Sequence, residues 1–143
     1  MTLISRLLLV GATSAFTASA SQSQDAPPAH MLGALVDDYG NRYDVSKAEW
    51  RQGPKAVYHI LKWNVKEQYL VLHNAPENTS NPDRFSRIDL VQFTEQGEYT
   101  WGYCYTAYKA ATSEEAEATT PADRGNPKKG CNGFPFSRMK PRQ

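Results

Sequence analysis

The chain has 143 residues, and its 16 lysine and arginine residues nearly balance its 15 aspartate and glutamate residues. This length fits a single domain. The balanced charge argues against nucleic-acid binding, which depends on a basic excess. Two cysteines are too few for a zinc or iron–sulfur centre built on thiolates, and we predict no cofactor.

The first 20 residues follow the pattern of a cleavable secretory signal peptide. Arg6 precedes an apolar run over residues 7–16, and Ala18-Ser19-Ala20 offers the small residues that signal peptidase accepts. The run is shorter than the roughly 20 apolar residues that span a bilayer. We therefore predict a secreted or periplasmic protein with no integral membrane segment in the mature chain. The predicted organisation is a signal peptide over 1–20, a flexible lead-in over 21–29 and a single β-rich domain over 30–143.

Beyond the lead-in, short segments that alternate apolar and polar residues are separated by turn residues, which is the pattern of antiparallel strands. A capping-box pattern, Thr112 followed by Glu115, predicts a short surface helix over residues 113–119, which Pro121 ends. Residues 131–136 then return to the core. The predicted strands cover residues 31–37, 42–46, 56–63, 68–73, 84–93 and 99–108.

Six or seven strands joined by short turns predict an all-β fold, a small antiparallel β-barrel or meander with one short surface helix. A closed barrel is the first choice because closure removes exposed strand edges, and a sandwich is the alternative. The outline resembles the calycin-like architecture of the small secreted barrels of the lipocalin and avidin type. The Gly-x-Trp signature that opens a lipocalin is missing, so we assign no family.

Both cysteines lie in the predicted mature part of the chain. In an exported protein such a pair is more often a disulfide than a reactive thiol site, so we predict the bond Cys104–Cys131. A reactive thiol would need a basic neighbour or a helix N-terminus, and neither is evident at Cys104.

An aromatic stripe runs along the last predicted strand, where Tyr99, Trp101, Tyr103 and Tyr105 share one face. Such rings line pockets for apolar or carbohydrate-like ligands, and they also pack the cores of barrels of every function. We predict a non-enzymatic binding protein that holds a small-molecule ligand inside an aromatic-lined barrel. The predicted ligand-binding residues are Trp63, Tyr69, Arg87, Trp101 and Tyr103.

Two histidines mark the central predicted hairpin. If its loop is residues 65–67, residue 64 pairs with residue 68 and His59 lies opposite His73, close enough to share a metal. A two-residue loop would move the two side chains to opposite faces. With Asp89 as a third ligand, chosen by residue type alone, the pair gives a further alternative, a small metal-dependent enzyme.

Another alternative is an interaction or inhibitor protein that uses its surface loops. Loop 74–83 is rich in asparagine and proline, and it contains Asn78-Thr79-Ser80, a glycosylation acceptor pattern in eukaryotic secreted proteins. The C-terminal end is basic and would contact an acidic protein partner or membrane headgroups. Its basic residues are Arg124, Lys128, Lys129, Arg138, Lys140 and Arg142.

Overall fold

A computed structural model of the chain describes residues 26–143, and the predicted signal peptide lies outside the described residues. One turn of 3-10 helix, Ala29–Met31, leads into eight strands and one α-helix. None of the helices in this part of the chain is long and apolar enough to cross a bilayer. The strands are β1 (Gly33–Asp37), β2 (Arg42–Val45), β3 (Glu49–Gln52), β4 (Ala56–Asn64), β5 (Tyr69–Asn74), β6 (Phe85–Gln92), β7 (Trp101–Ala110) and β8 (Ser137–Pro141), and the helix is α1 (Ser113–Glu117).

The eight strands form one closed antiparallel barrel. Each strand pairs with its neighbours in sequence, and β8 returns to pair with β1. The barrel prediction is confirmed, but β3 and β8 were not among the predicted strands. β3 has four residues and follows a tight turn in which the Ser46 hydroxyl accepts from the Glu49 N–H at 3.0 Å. In β8, Met139 enters the core, and its neighbours in the sequence are the cations Arg138 and Lys140. For this reason the segment resembled a basic tail.

Every strand contributes at least one buried apolar side chain to a core inside the barrel. Successive residues of a strand point to opposite faces, so the inward positions of all eight strands meet. Trp50 and Trp101 are 0 % exposed, which leaves no water-sized space against their rings. The core consists of Met31, Leu35, Tyr43, Val45, Trp50, Trp63, Leu70, Leu72, Ile88, Leu90, Trp101, Tyr103 and Met139.

A second layer covers the outside of β5, β6 and β7. Tyr69 and Val71 of β5 pack with Ala116 of α1, while Phe136 belongs to a separate outer cluster with Val91. Because Leu70 and Leu72 face the barrel core at the same time, β5 is buried on both faces. This agrees with the apolar residues on both sides of its sequence.

The connection between β7 and β8, residues 111–136, is called the strap here. It contains α1, whose N-terminus is capped as predicted: the Thr112 hydroxyl accepts from the Glu115 N–H at 3.1 Å. The predicted disulfide is also present. It bonds Cys131 of the strap to Cys104 of β7, with Cα atoms 5.6 Å apart.

A β-bulge at Leu61 changes which side chains of β4 face the core. The pairing of β4 with β5 shifts by one residue between Ile60 and Lys62. Strict alternation would place Trp63 on the same face as His59. With the bulge, Trp63 joins the core and His59 stays outside.

Tyr99 also departs from its predicted position. β7 begins at Trp101, and the Tyr99 ring lies outside the barrel beneath two cations of β8. The Arg138 guanidinium is 4.7 Å and the Lys140 ammonium 5.3 Å from the centroid of that ring. The inward stripe of β7 is therefore Trp101, Tyr103 and Tyr105.

Candidate functional site

The barrel interior is occupied by the protein's own aromatic rings. Trp50 lies at the centre of the cluster, with its ring centroid 5.0 Å from Tyr103, 5.6 Å from Tyr43 and 6.4 Å from Trp101. All three contacts are edge-to-face, an arrangement that adds about 0.5–1.5 kcal/mol per pair beyond area burial. Much of the stripe on β7 therefore packs the core.

The hydroxyl groups of the core tyrosines Tyr43 and Tyr103 lie within hydrogen-bond distance of each other. The Tyr43 hydroxyl donates to the Asp37 carboxylate at 2.7 Å and lies 2.7 Å from the Tyr103 hydroxyl. Burial raises the pKa of Tyr103 to about 12, and burial together with the neighbouring Tyr103 raises the pKa of Tyr43 further above its ordinary value. Both phenols therefore stay protonated at neutral pH and have hydrogen-bond partners within the protein.

The five residues predicted to bind a ligand lie on two sides of the barrel wall. Trp63, Trp101 and Tyr103 face the core and are at most 6 % exposed. Tyr69 and Arg87 lie on the outer face beneath α1, with the Arg87 guanidinium 4.1 Å from the centroid of the Tyr69 ring. The structure therefore does not bring the five together in one pocket.

The outer face of β6 carries a buried ion network. The Asp89 carboxylate is 0 % exposed and accepts from Arg87 at 2.9 Å, from Arg124 at 3.0 Å and from the Thr106 hydroxyl at 2.7 Å. Arg124 also donates to the Leu90 carbonyl at 2.6 Å, which ties the strap to the barrel. The structure therefore holds Asp89 beneath the strap and does not bring it together with the two histidines.

A second contact of the strap runs through Glu117, at the end of α1. Its carboxylate accepts from the Lys62 ammonium and from the Tyr69 hydroxyl, the latter at 2.6 Å. These hydrogen bonds lower the pKa of Glu117. Tyr69 thus has structural partners in α1 and in Arg87.

The mouth pocket is a concave space of about 390 Å³ at the barrel end that holds the β3–β4 turn and the β5–β6 loop. Its floor is formed by Tyr58 and Tyr105, whose ring centroids lie 5.8 Å apart and which pack against the core. Burial raises the pKa of Tyr105, whose hydroxyl donates to the Gln52 side-chain oxygen at 3.2 Å. Amide, hydroxyl and backbone groups with one cation form the walls, contributed by Asn41, Gln52, Gly53, Lys55, Ala56, Asn78, Thr79 and Ser80.

Asn78 fixes one wall of the mouth pocket. Its side chain is 6 % exposed and bridges to the backbone of Val57 on β4. The side-chain oxygen accepts from the Val57 N–H at 2.9 Å, and the side-chain nitrogen donates to the Val57 carbonyl at 2.7 Å. The asparagine of the glycosylation acceptor pattern therefore has a structural role in this fold.

A second concavity, the side groove, lies outside the barrel between the β1–β2 turn, the β6–β7 turn and the strap, with a volume of about 470 Å³. Tyr39 is 71 % exposed there, and Arg138 donates to Asp38 at 2.9 Å. The lining residues are Asp38, Tyr39, Phe93, Gln96, Pro127, Lys128, Pro135, Phe136 and Arg138.

Most of the basic C-terminal residues are ion-paired within the chain. Arg124 contacts Asp89 in the buried network, whereas Lys128 and Lys129 lie exposed on the strap. The positive charge available to a partner is therefore smaller than the sequence suggested. The remaining ion pairs of this end are Arg138–Asp38 (2.9 Å), Lys140–Glu98 (2.7 Å) and Arg142–Asp44 (3.2 Å).

The two histidines of the central hairpin lie opposite each other on the outer face of the barrel, as one of the two predicted registers required. His59 pairs with His73, with ring centroids 6.4 Å apart and ring planes 28° apart. The register that produces this pair differs from the predicted one. Asn64 pairs with Tyr69 rather than with residue 68, and the bulge at Leu61 restores the alignment.

Comparison with known proteins gives no family model, curated protein or solved structure that matches this chain. The candidate site must therefore be judged from its own chemistry.

Sequence reasoning missed most of the mouth pocket. Tyr58 and Gln52 were not among the predicted binding residues, because their strands were not known to end at the same rim of the barrel. Tyr105 did belong to the aromatic stripe. Its place as the last ring of the stripe was the one available signal that it lies near a barrel end.

Proposed function

We propose that the protein is an exported, non-enzymatic binding protein that holds a small carbohydrate-like ligand in the mouth pocket. The observation that carries the proposal is an aromatic floor surrounded by amide and hydroxyl groups. Export rests on the signal-peptide pattern over residues 1–20. The disulfide is compatible with it, because such bonds persist in oxidising compartments.

The filled core favours one of the two ligand classes considered from the sequence. An apolar ligand would need a dry cavity inside the barrel, and the rings of Trp50, Trp101 and Tyr43 occupy that space with at most 1 % exposure. The mouth pocket instead presents polar groups around two phenol rings. A ligand with one apolar face and several hydroxyl groups fits this setting best.

The chemistry of the lining supports binding of a neutral saccharide. The C–H face of a sugar ring can stack on Tyr58, while its hydroxyl groups exchange hydrogen bonds with Gln52 and Ser80. A volume of about 390 Å³ is at the lower end of the range for ligand pockets and suits one or two sugar rings. The lining contains no carboxylate or imidazole to act as an acid or base, which supports binding without hydrolysis.

Calorimetric titration of the chain with a panel of neutral mono- and disaccharides tests the proposal. We expect saturable one-site binding, accompanied by a tryptophan fluorescence change because Trp50 pairs in register with Tyr58. Tyr58→Ala removes half of the aromatic floor and should raise the Kd about tenfold, which corresponds to a loss of about 1.4 kcal/mol of binding free energy.

Tyr108→Ala is the matched control. It also removes a tyrosine near the end of a strand, but this side chain is 51 % exposed and lies outside the mouth pocket. Its saccharide affinity should equal that of the unmodified chain. The proposal fails if no saccharide of the panel binds, or if the Tyr58 and Tyr108 variants bind equally well.

A second candidate function is interaction with another protein, and the side groove is the observation that favours it. The groove combines the exposed ring of Tyr39 with the exposed cation of Lys128. Neutralising Lys128 and Lys129 to glutamine should then reduce capture of an acidic partner and leave saccharide binding unchanged. We rank this function second because the Arg138–Asp38 pair already neutralises charge inside the groove.

A further inference from the structure

We propose that the outer face of the barrel carries a second binding site, for a divalent first-row transition metal, at the histidine pair. Its ligands are His59 and His73, and Cu²⁺ is the metal bound most tightly. The site is separate from the mouth pocket, because neither histidine is among the residues that line that pocket.

Three neighbouring strands align the site. Glu49 of β3 pairs with His59 of β4, and His59 pairs with His73 of β5. Side chains at such cross-strand positions lie on one face with Cβ atoms about 5 Å apart. The bulge at Leu61 is needed for this arrangement, since a one-residue change of register would place the two histidines on opposite faces. The histidine side chains are 50 % and 31 % exposed, so a metal ion in solution can reach both.

Each histidine has its own carboxylate neighbour. Glu49 Oε2 lies 3.9 Å from His59 Nδ1, and Asp83 Oδ1 lies 3.5 Å from His73 Nε2. These are ion-pair separations, and a small approach would convert each into the carboxylate–imidazole hydrogen bond that orients a ring and leaves its other nitrogen for a metal. The nitrogens left for the metal are therefore His59 Nε2 and His73 Nδ1.

The two imidazole rings can bind one metal ion after a small movement toward each other. Their centroids are 6.4 Å apart. Two imidazoles on one tetrahedral or square-planar metal, with bonds of about 2.0 Å, place their centroids about 4.5–5 Å apart. Rotation about χ1 and χ2 of two partly exposed side chains can supply the difference.

Two imidazole ligands define an open site. Over residues 26–143, no three His, Cys, Asp or Glu side chains already converge on one metal position. Water would complete the coordination. Two nitrogens with added oxygen donors suit Cu²⁺, which also heads the affinity order of divalent first-row metals.

Titration of the untagged chain with Cu²⁺, followed by calorimetry and electron paramagnetic resonance, tests the proposal. We expect one Cu²⁺ per chain and a hyperfine pattern from two equatorial imidazole nitrogens. His59→Gln and His73→Gln should each weaken the affinity at least tenfold and leave the pattern of one imidazole. Glu49→Gln should weaken the affinity by about tenfold while keeping both imidazoles, because it removes only an orienting group.

His30→Gln is the matched control, because it removes the remaining histidine, in the 3-10 helix before β1. Its affinity and spectrum should equal those of the unmodified chain, and Zn²⁺ should compete with Cu²⁺ for the same site. Near-UV circular dichroism establishes that each variant keeps the barrel. The proposal is overturned if the unmodified chain binds no stoichiometric Cu²⁺, or if binding survives in the double variant of His59 and His73.

Discussion

Replacing Asp89 by asparagine should destabilise the protein by about 3–5 kcal/mol, the usual result of breaking a buried ion pair on one side. The carboxylate is fully buried between the guanidinium groups of Arg87 and Arg124, at 2.9 and 3.0 Å. Asparagine keeps the shape but loses the charge. Its amide nitrogen would also turn a donor toward the Thr106 hydroxyl or the Ala122 N–H, which both donate to Asp89. Arg87 would remain as a buried cation without its carboxylate partner, held only by the Tyr69 ring and the Glu117 carbonyl.

Urea unfolding followed by tryptophan fluorescence measures this loss. With a slope of about 2 kcal/mol per molar urea, the midpoint should fall by about 2 M, out of a total stability of about 5–15 kcal/mol. Asp44→Asn is the matched control, because this carboxylate also pairs with an arginine, Arg142, but its side chain is 61 % exposed. It should cost less than about 1 kcal/mol. Equal destabilisation by the two variants would refute the argument that burial makes the Asp89 network strong.

Two further predictions concern the strap and the core. Replacing Cys104 and Cys131 together by serine should lower the free energy of unfolding by about 3–4 kcal/mol, because the bond restricts the unfolded chain. Hydrogen exchange around Phe134 should become faster in this variant. An unchanged exchange rate there would contradict a role of the bond in holding the strap. Tyr103 has a folded-state pKa of about 12, above the unfolded value near 10, so its contribution to stability is intact below pH 10 and is lost as the pH rises toward 12. Urea unfolding between pH 9 and 11.5 should show this decline. In Tyr103→Phe, the fall of the free energy of unfolding with pH should be less steep by up to about 1.4 kcal/mol per pH unit. The same pH dependence in both proteins would contradict this role of Tyr103.

Six of the eight strands could be predicted because each presents at least one face to the core, marked by apolar residues at alternate positions. β3 gave a weaker signal, since it has four residues and one fully buried ring, Trp50. β8 follows a strap of 26 residues, and its single buried residue, Met139, stands in the sequence between the cations Arg138 and Lys140. The bulge at Leu61 has no composition signal either. Its position is set by pairing with β5, which is a property of two strands and not of one.

The candidate sites were harder to predict than the strands. Tyr58 and Asn78 are 20 positions apart in sequence and meet at the mouth pocket only because the strands close into a barrel. The opposition of His59 and His73 was predicted for one loop length, yet it arises from a longer loop compensated by a bulge. Residue type and alternation narrowed the candidates, and register decided which of them meet.

The filled core bears directly on how the mouth pocket would bind a ligand. Tyr105 contacts Tyr58 in the pocket floor and Tyr103 in the core, at centroid distances of 5.8 and 5.6 Å. Tyr103 is held in turn by the hydroxyl of Tyr43, which donates to Asp37. The floor therefore rests on side chains whose positions are fixed by buried hydrogen bonds. A floor fixed before binding costs little ordering when a ligand arrives. The aromatic residues of the barrel thus support the proposed function by fixing the floor of an external pocket, instead of enclosing the ligand themselves.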